Sequence, residues 1–141
     1  MNRFFLIAAM FAALAYSGTT SAELEYGYTT DTELVASDIA VNDSGMVITY
    51  EGNVGKYGLV HASHQYFPTN EAETKGYFMG TVQSIDETGI VQRDKTVGLW
   101  TRKGSILRIY GLDDGNEVVF HISDIDLRTK KMTGKVMEIK P

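Results

Sequence analysis

The sequence predicts an all-β protein, an antiparallel up-and-down meander of about eight strands closing into a barrel, with a β-sandwich as the alternative. Three observations lead there. Beyond residue 22 the apolar residues come in short runs punctuated by Gly, Asn and Asp, with few stretches of helical periodicity. Every connection between runs is short, which leaves no crossover of a dozen or more residues for parallel pairing, so successive strands become antiparallel neighbours. Several connections also place Gly or Asn where a hairpin turn needs positive φ.

Residues 1–22, MNRFFLIAAMFAALAYSGTTSA, read as a secretory signal peptide. Arg3 supplies the basic start and Phe4 to Leu14 the apolar block, too short for a bilayer core that needs about 20 residues. Thr20 and Ala22 give the small-residue cleavage pattern, so residues 23–141 are expected to form one exported domain, periplasmic or secreted. The formal charge is −5 over the whole chain, and loss of Arg3 makes the remainder more acidic still. No cationic stripe exists for a phosphate backbone, which argues against nucleic acid; Arg128-Thr129-Lys130-Lys131 reads as a solvated turn. With zero cysteines there is no disulfide framework, thiolate metal site, catalytic thiol or lipid-bearing cysteine, so neither a lipid anchor nor a membrane span is expected.

Glu23 to Glu33 reads as a loosely attached leading segment or a short first strand. The strands that follow are Leu34 to Ala40, Met46 to Glu51, Tyr57 to Phe67, Gly76 to Ser84, Ile90 to Thr101, Ile106 to Leu112, Glu117 to Asp126 and Met132 to Ile139. Alternation in the third splits it into a face with His61, Ser63 and Gln65 and a face with Val60, Ala62, His64 and Tyr66. Neither face is purely polar or apolar, and the mixture suits a barrel with a cavity better than a tightly filled sandwich.

The chemistry-bearing residues are few. His61 and His64 are spaced for a shared metal on a helix, but on a strand they point to opposite faces, so no metal and no cofactor is expected. His61, Ser63 and Gln65 form a polar stripe that would line a cavity if that face turned inward; otherwise they are surface residues. His61 and His121 are the acid–base candidates because imidazole titrates near neutrality, with Tyr110 as a further catalytic candidate. Trp100, two residues before Arg102, reads as a barrel plug or a ligand contact. Arg108, if inward, needs an anionic ligand or a carboxylate from Glu51, Asp124 or Glu138. Asp113 to Glu117 lacks the spacing of a calcium loop and reads as a tight hairpin.

The eight-strand meander, the segment Gly98-Leu99-Trp100-Thr101-Arg102 and the closing strand Gly134 to Glu138 resemble the small calycin-like and allene-oxide-cyclase-like β-barrels. The resemblance is one of architecture, and it implies a cavity that holds an apolar or amphipathic small molecule. The expected ligand-binding set is His61, Ser63, Gln65, Trp100, Arg108 and Tyr110. Two alternatives stand beside a binding module: an isomerase or cyclase with a histidine acid–base, and a filled barrel that acts through its outer surface. A cavity of about 300 Å³ or more would favour the first two, and a solid core the third.

Overall fold

The computed structural model describes residues 22–141, so the signal peptide expected over residues 1–22 lies almost wholly outside the described residues. Eight antiparallel strands follow in chain order: β1 Tyr26–Asn42, β2 Gly45–Asn53, β3 Leu59–Pro68, β4 Lys75–Ile85, β5 Val91–Lys103, β6 Ile106–Asp114, β7 Val118–Asp126 and β8 Lys131–Ile139. Each pairs with its neighbour in sequence, and β1 pairs with β8 to close the barrel, which is consistent with a calycin-like architecture and is not a sandwich. Among the described residues no helix is long and apolar enough to cross a membrane.

Closure rests on β1, whose 17 residues are long enough to serve two neighbours. Its first half pairs with β8 from Thr29↔Met137 to Val35↔Lys131, and its second half with β2 from Val35↔Glu51 to Asn42↔Gly45. A register shift between Ala36 and Asp38 turns the strand at the changeover, as a bulge does at a barrel corner. Of the two readings of Glu23 to Glu33, a loose leading segment or a short first strand, the second holds from Tyr26 onward, where the segment is continuous with the rest of β1. Tyr57, by contrast, belongs to a single 3₁₀ turn, Gly55–Tyr57, which enters β3 through Gly58 at φ 74°. Side chains fix the hairpins locally: the Asn42 carboxamide accepts from the Ser44 N–H at 3.0 Å, and the Asp86 carboxylate accepts from the N–H groups of Thr88 and Ile90.

Strand alternation decides what is inside. Val60, Ala62, His64 and Tyr66 of β3, Leu107 and Ile109 of β6, and Val119, His121, Ser123 and Ile125 of β7 are buried, with their odd-numbered or even-numbered neighbours outside. The end of the barrel beside the β5–β6 and β7–β8 turns is filled by Tyr66, Trp100, Leu107, Ile109 and Ile125. Trp100 donates its indole N–H to the Tyr77 carbonyl at 3.0 Å, so it plugs this end with its one polar atom satisfied.

An eight-strand barrel has an interior just wide enough for side chains, and two glycines supply the width for the aromatic layer. A Cβ at Gly98 would lie 2.6 Å from Phe78 Cε1; one at Gly111 would lie 2.9 Å from Phe78 Cζ and collide with the His121 ring. Both neighbours are buried and cannot swing away. Gly111→Ala is therefore expected to destabilise the barrel by about 1–3 kcal/mol through overpacking. In a thermal melt Tm should fall by several degrees, and an unchanged Tm would mean that His121 does not occupy this place.

Candidate functional site

The other half of the interior holds a polar cluster instead of an apolar plug. His64 stacks on Phe78 with ring centroids 4.9 Å apart and lies 6.2 Å from the His121 ring. His64 Nδ1 is 3.0 Å from the Tyr66 hydroxyl, which in turn is 2.9 Å from the Tyr50 hydroxyl, so three buried side chains form one hydrogen-bonded chain. His121 Nε2 sits 3.4 Å from both the Thr96 hydroxyl and Asp113 Oδ1. Asp113 reaches the interior because β6 alternates Leu107, Ile109, Gly111, Asp113 on its inner face.

Of these groups Tyr50, His64, Asp113 and His121 border a cavity of about 80 Å³, whose walls run from Ala62 and His64 at mid-barrel to Val54, Tyr57, Ser84 and Asp94 near the end covered by the 3₁₀ turn. Among the described residues, three buried side-chain atoms, Thr32 Oγ1, His64 Nε2 and Ser123 Oγ, have no hydrogen-bond partner, and Asp113 Oδ1 has only the 3.4 Å approach of His121 Nε2. All four residues line this cavity. The lining carries two carboxylates and two imidazoles and no lysine or arginine, with Leu34, Val60, Val82, Val119 and Val136 as apolar wall.

The cavity's roof is tied down by ions. Lys56 of the 3₁₀ turn pairs with Glu138 and, at 3.5 Å, with Glu117, while the Tyr57 hydroxyl donates to Glu138 at 2.7 Å. The Lys56 N–H donates to the Tyr28 hydroxyl, and the ammonium lies 5.0 Å from the Tyr28 ring. Partial desolvation would raise the Glu138 carboxyl, but the Lys56 and Tyr57 hydrogen bonds outweigh it and hold the group at about 2. The Glu138 hydrogen bond raises Lys56, and burial followed by the Glu138 hydrogen bond raises Tyr57.

Of the residues expected to be catalytic or ligand-binding, only His121 lines this cavity. His61 and Ser63 lie on the outer face, with His61 Nδ1 3.9 Å from Glu51. The half-buried Gln65 donates to the Met46 and Tyr66 carbonyls at 3.2 Å, both across and along the sheet. Arg108 is outside and pairs two-pronged with Asp124, both contacts 2.7 Å; Asp124 is one of the three carboxylates offered for an inward Arg108, and it is met on the surface instead. Tyr110 is also outward, and Trp100 is buried at the opposite end. The expected stripe faced the wrong way because β3 presents its apolar residues Val60, Ala62 and Tyr66 with His64, and three apolar contacts outweigh one imidazole in choosing the inner face. Asp113 was hidden in a segment that reads equally as a hairpin, and only the parity of β6 marks it as inward. Among the described residues no three His, Asp or Glu side chains converge on a metal position.

Comparison with protein-family models, with curated proteins and with solved structures returned no match to this chain.

Burial, reinforced by the neighbouring His121 and opposed by Asp113, pushes the His64 imidazole down to about 3, so it is neutral in the folded barrel. Burial would raise the Asp113 carboxyl, but its interactions with His121 and Thr96 win and leave it lowered. Both groups bind protons more readily in the unfolded chain. His64 therefore contributes stability that is complete above about 6.5, the unfolded histidine value, and is withdrawn as pH falls toward 3. Chemical denaturation between pH 7 and pH 4 should show stability dropping, with His64 alone adding a slope of up to about 1.4 kcal/mol per pH unit. His64→Gln should flatten that slope, and an unflattened slope would mean that His64 ionises freely in the fold.

Proposed function

We propose that the chain is an exported, calycin-like barrel that binds a small amphipathic molecule by its polar head. The observation that carries this reading is the convergence on one cavity of three unpartnered polar atoms, Thr32 Oγ1, His64 Nε2 and Ser123 Oγ, beside the Asp113 carboxylate. A buried polar group left without a hydrogen bond costs about 1–3 kcal/mol, so an interior that retains three of them around one cavity suits a polar occupant. The cavity's 80 Å³ falls short of the about 300 Å³ that would favour an enclosed ligand or substrate, so volume alone sides with a filled barrel, and the reading rests on the unpartnered polar atoms instead. The cavity suits a few waters, or a head group with its first few carbons, the remainder passing out under the Gly55–Tyr57 turn. With Asp94 and Asp113 in the wall and no cation, the head favoured is a hydrogen-bond donor, neutral or positively charged, in preference to a carboxylate or phosphate.

The approach of Asp113 and Thr96 to one nitrogen of His121 favours a second reading, an isomerase or cyclase that uses His121 as acid–base. His61 and Tyr110, outside the barrel, have no part in it.

Native mass spectrometry of the chain recovered from the exported fraction of its own cells should find a small co-purifying molecule. Titration with butylamine, butanol and butyrate, followed by histidine ring resonances, should give saturable shifts for the first two and weaker ones for butyrate. Ser123→Val should reduce these shifts. His121→Gln that keeps binding but abolishes turnover of the identified molecule would favour the enzyme, whereas no co-purifying molecule together with no saturable shift rejects both readings.

A further inference from the structure

The buried relay of Tyr50, Tyr66 and His64 decides which hydrogen-bonding role His64 offers to the cavity. Burial keeps the His64 imidazole neutral, so one ring nitrogen carries a proton and the other a lone pair. Its Nδ1 lies 3.0 Å from the Tyr66 hydroxyl, which lies 2.9 Å from the Tyr50 hydroxyl, and both tyrosines are buried. Each link needs one proton, and the protons to be placed are one on each phenol and one on the ring. If Tyr50 donates to Tyr66 and Tyr66 donates to Nδ1, both phenol protons are used and the ring proton sits on Nε2. If Nδ1 carries the proton instead, a buried phenol proton on Tyr50 or on Tyr66 is left with no acceptor among the described residues, which is costly. The first arrangement also follows acid–base strength, since imidazole nitrogen is a stronger base than phenol oxygen and accepts the better hydrogen bond. The unpartnered Nε2 is therefore an N–H donor on a ring that lines the cavity.

A group of the opposite kind stands on the same inner row, which runs His64 on β3, Gly80 on β4, Thr96 on β5 and Asp113 on β6. Asp113 is ionised despite its burial, through His121 and Thr96, and an ionised carboxylate only accepts. The hydroxyls of Thr32 and Ser123, also unpartnered in the cavity wall, serve in either role. A head group that satisfies both ends carries an acceptor for His64 and a donor for Asp113, and a space of about 80 Å³ brings both against the same head. An ammonium has donors only and a carboxylate acceptors only, whereas a primary amide or a hydroxyl has both. Resting on the reading of the barrel as a binder of amphipathic molecules, we propose that the cavity selects a neutral head with one donor and one acceptor, a carboxamide or an alcohol. Tyr66 is the positioning residue for this choice, because its hydroxyl fixes the His64 tautomer.

A long-range ¹H–¹⁵N correlation spectrum of the labelled wild-type chain reads the tautomer directly. His64 should show a protonated Nε2 and an unprotonated Nδ1, and a protonated Nδ1 overturns the proposal. Titration at pH 7, where an alkylamine is an ammonium, should give butyramide and butanol dissociation constants at least about tenfold below that of butylamine. Tyr66→Phe frees Nδ1, so the tautomers should mix and the advantage of butyramide over butylamine should shrink at least about threefold. Lost packing alone would weaken all three probes alike and leave the tautomer as it was. The wild-type spectrum and titration decide the matter even where Tyr66→Phe does not fold. Butylamine binding as tightly as butyramide, or a folded Tyr66→Phe with tautomer and preference unchanged, overturns this selectivity and leaves the binding reading standing. No saturable binding of any of the three probes rejects the binding reading itself, and the selectivity with it.

Discussion

The structure depends on closure of β1 onto β8. Once that pairing is made, the sheet has no free edges, and every residue of every strand is assigned to the inside or the outside by its position alone. An eight-strand interior admits little more than its own side chains, so what faces inward must be apolar, hydrogen-bonded or poised to meet something polar. The apolar requirement is met by Tyr66, Trp100, Leu107, Ile109 and Ile125 at one end. At the other, His64, His121, Asp113, Ser123 and Thr32 share a small cavity, and part of their hydrogen-bonding capacity is unspent.

The two ends differ in how they are sealed. Packing closes the filled end, with the indole of Trp100 anchored to the backbone of β4. A polar clasp closes the cavity end, where Lys56, Tyr57, Tyr28, Glu117 and Glu138 hold the 3₁₀ turn against β1, β8 and the β6–β7 hairpin. A roof held by partly exposed ion pairs is more easily opened than one held by a buried aromatic, since exposed pairs contribute about 0–1 kcal/mol each. The polar interior thus lies behind the weaker of the two closures.

Much of this was legible in the sequence. The eight strands follow from apolar runs and their Gly- and Asn-bearing turns, and the meander follows from the brevity of the connections. The leading segment was harder: Tyr26 to Glu33 alternates weakly, and only pairing with β8, distant in sequence, shows that it is strand. The candidate site was misread for a related reason. On β3 one face offers His61, Ser63 and Gln65 and the other His64 with three apolar neighbours, and a rule that seeks clustered polarity chooses the first. Burial rewards the second, because Val60, Ala62 and Tyr66 gain more from leaving water than His64 loses once Tyr66 bonds its ring. Arg108 looked unusual between Ile106 and Tyr110 for the opposite reason: all three are outward, and the two apolar neighbours belong to the outer wall.

The inward placement of His64 and the outward placement of His61 are what the account rests on, and the two differ by three residues on one strand. Brief reaction of the native chain with diethyl pyrocarbonate at neutral pH, read by fragmentation of the peptide that carries both, tests this directly. The account predicts modification at His61 with His64 protected until the barrel unfolds. Modification of His64 in the native chain at a rate equal to that of His61 would contradict it, and with it the interior site.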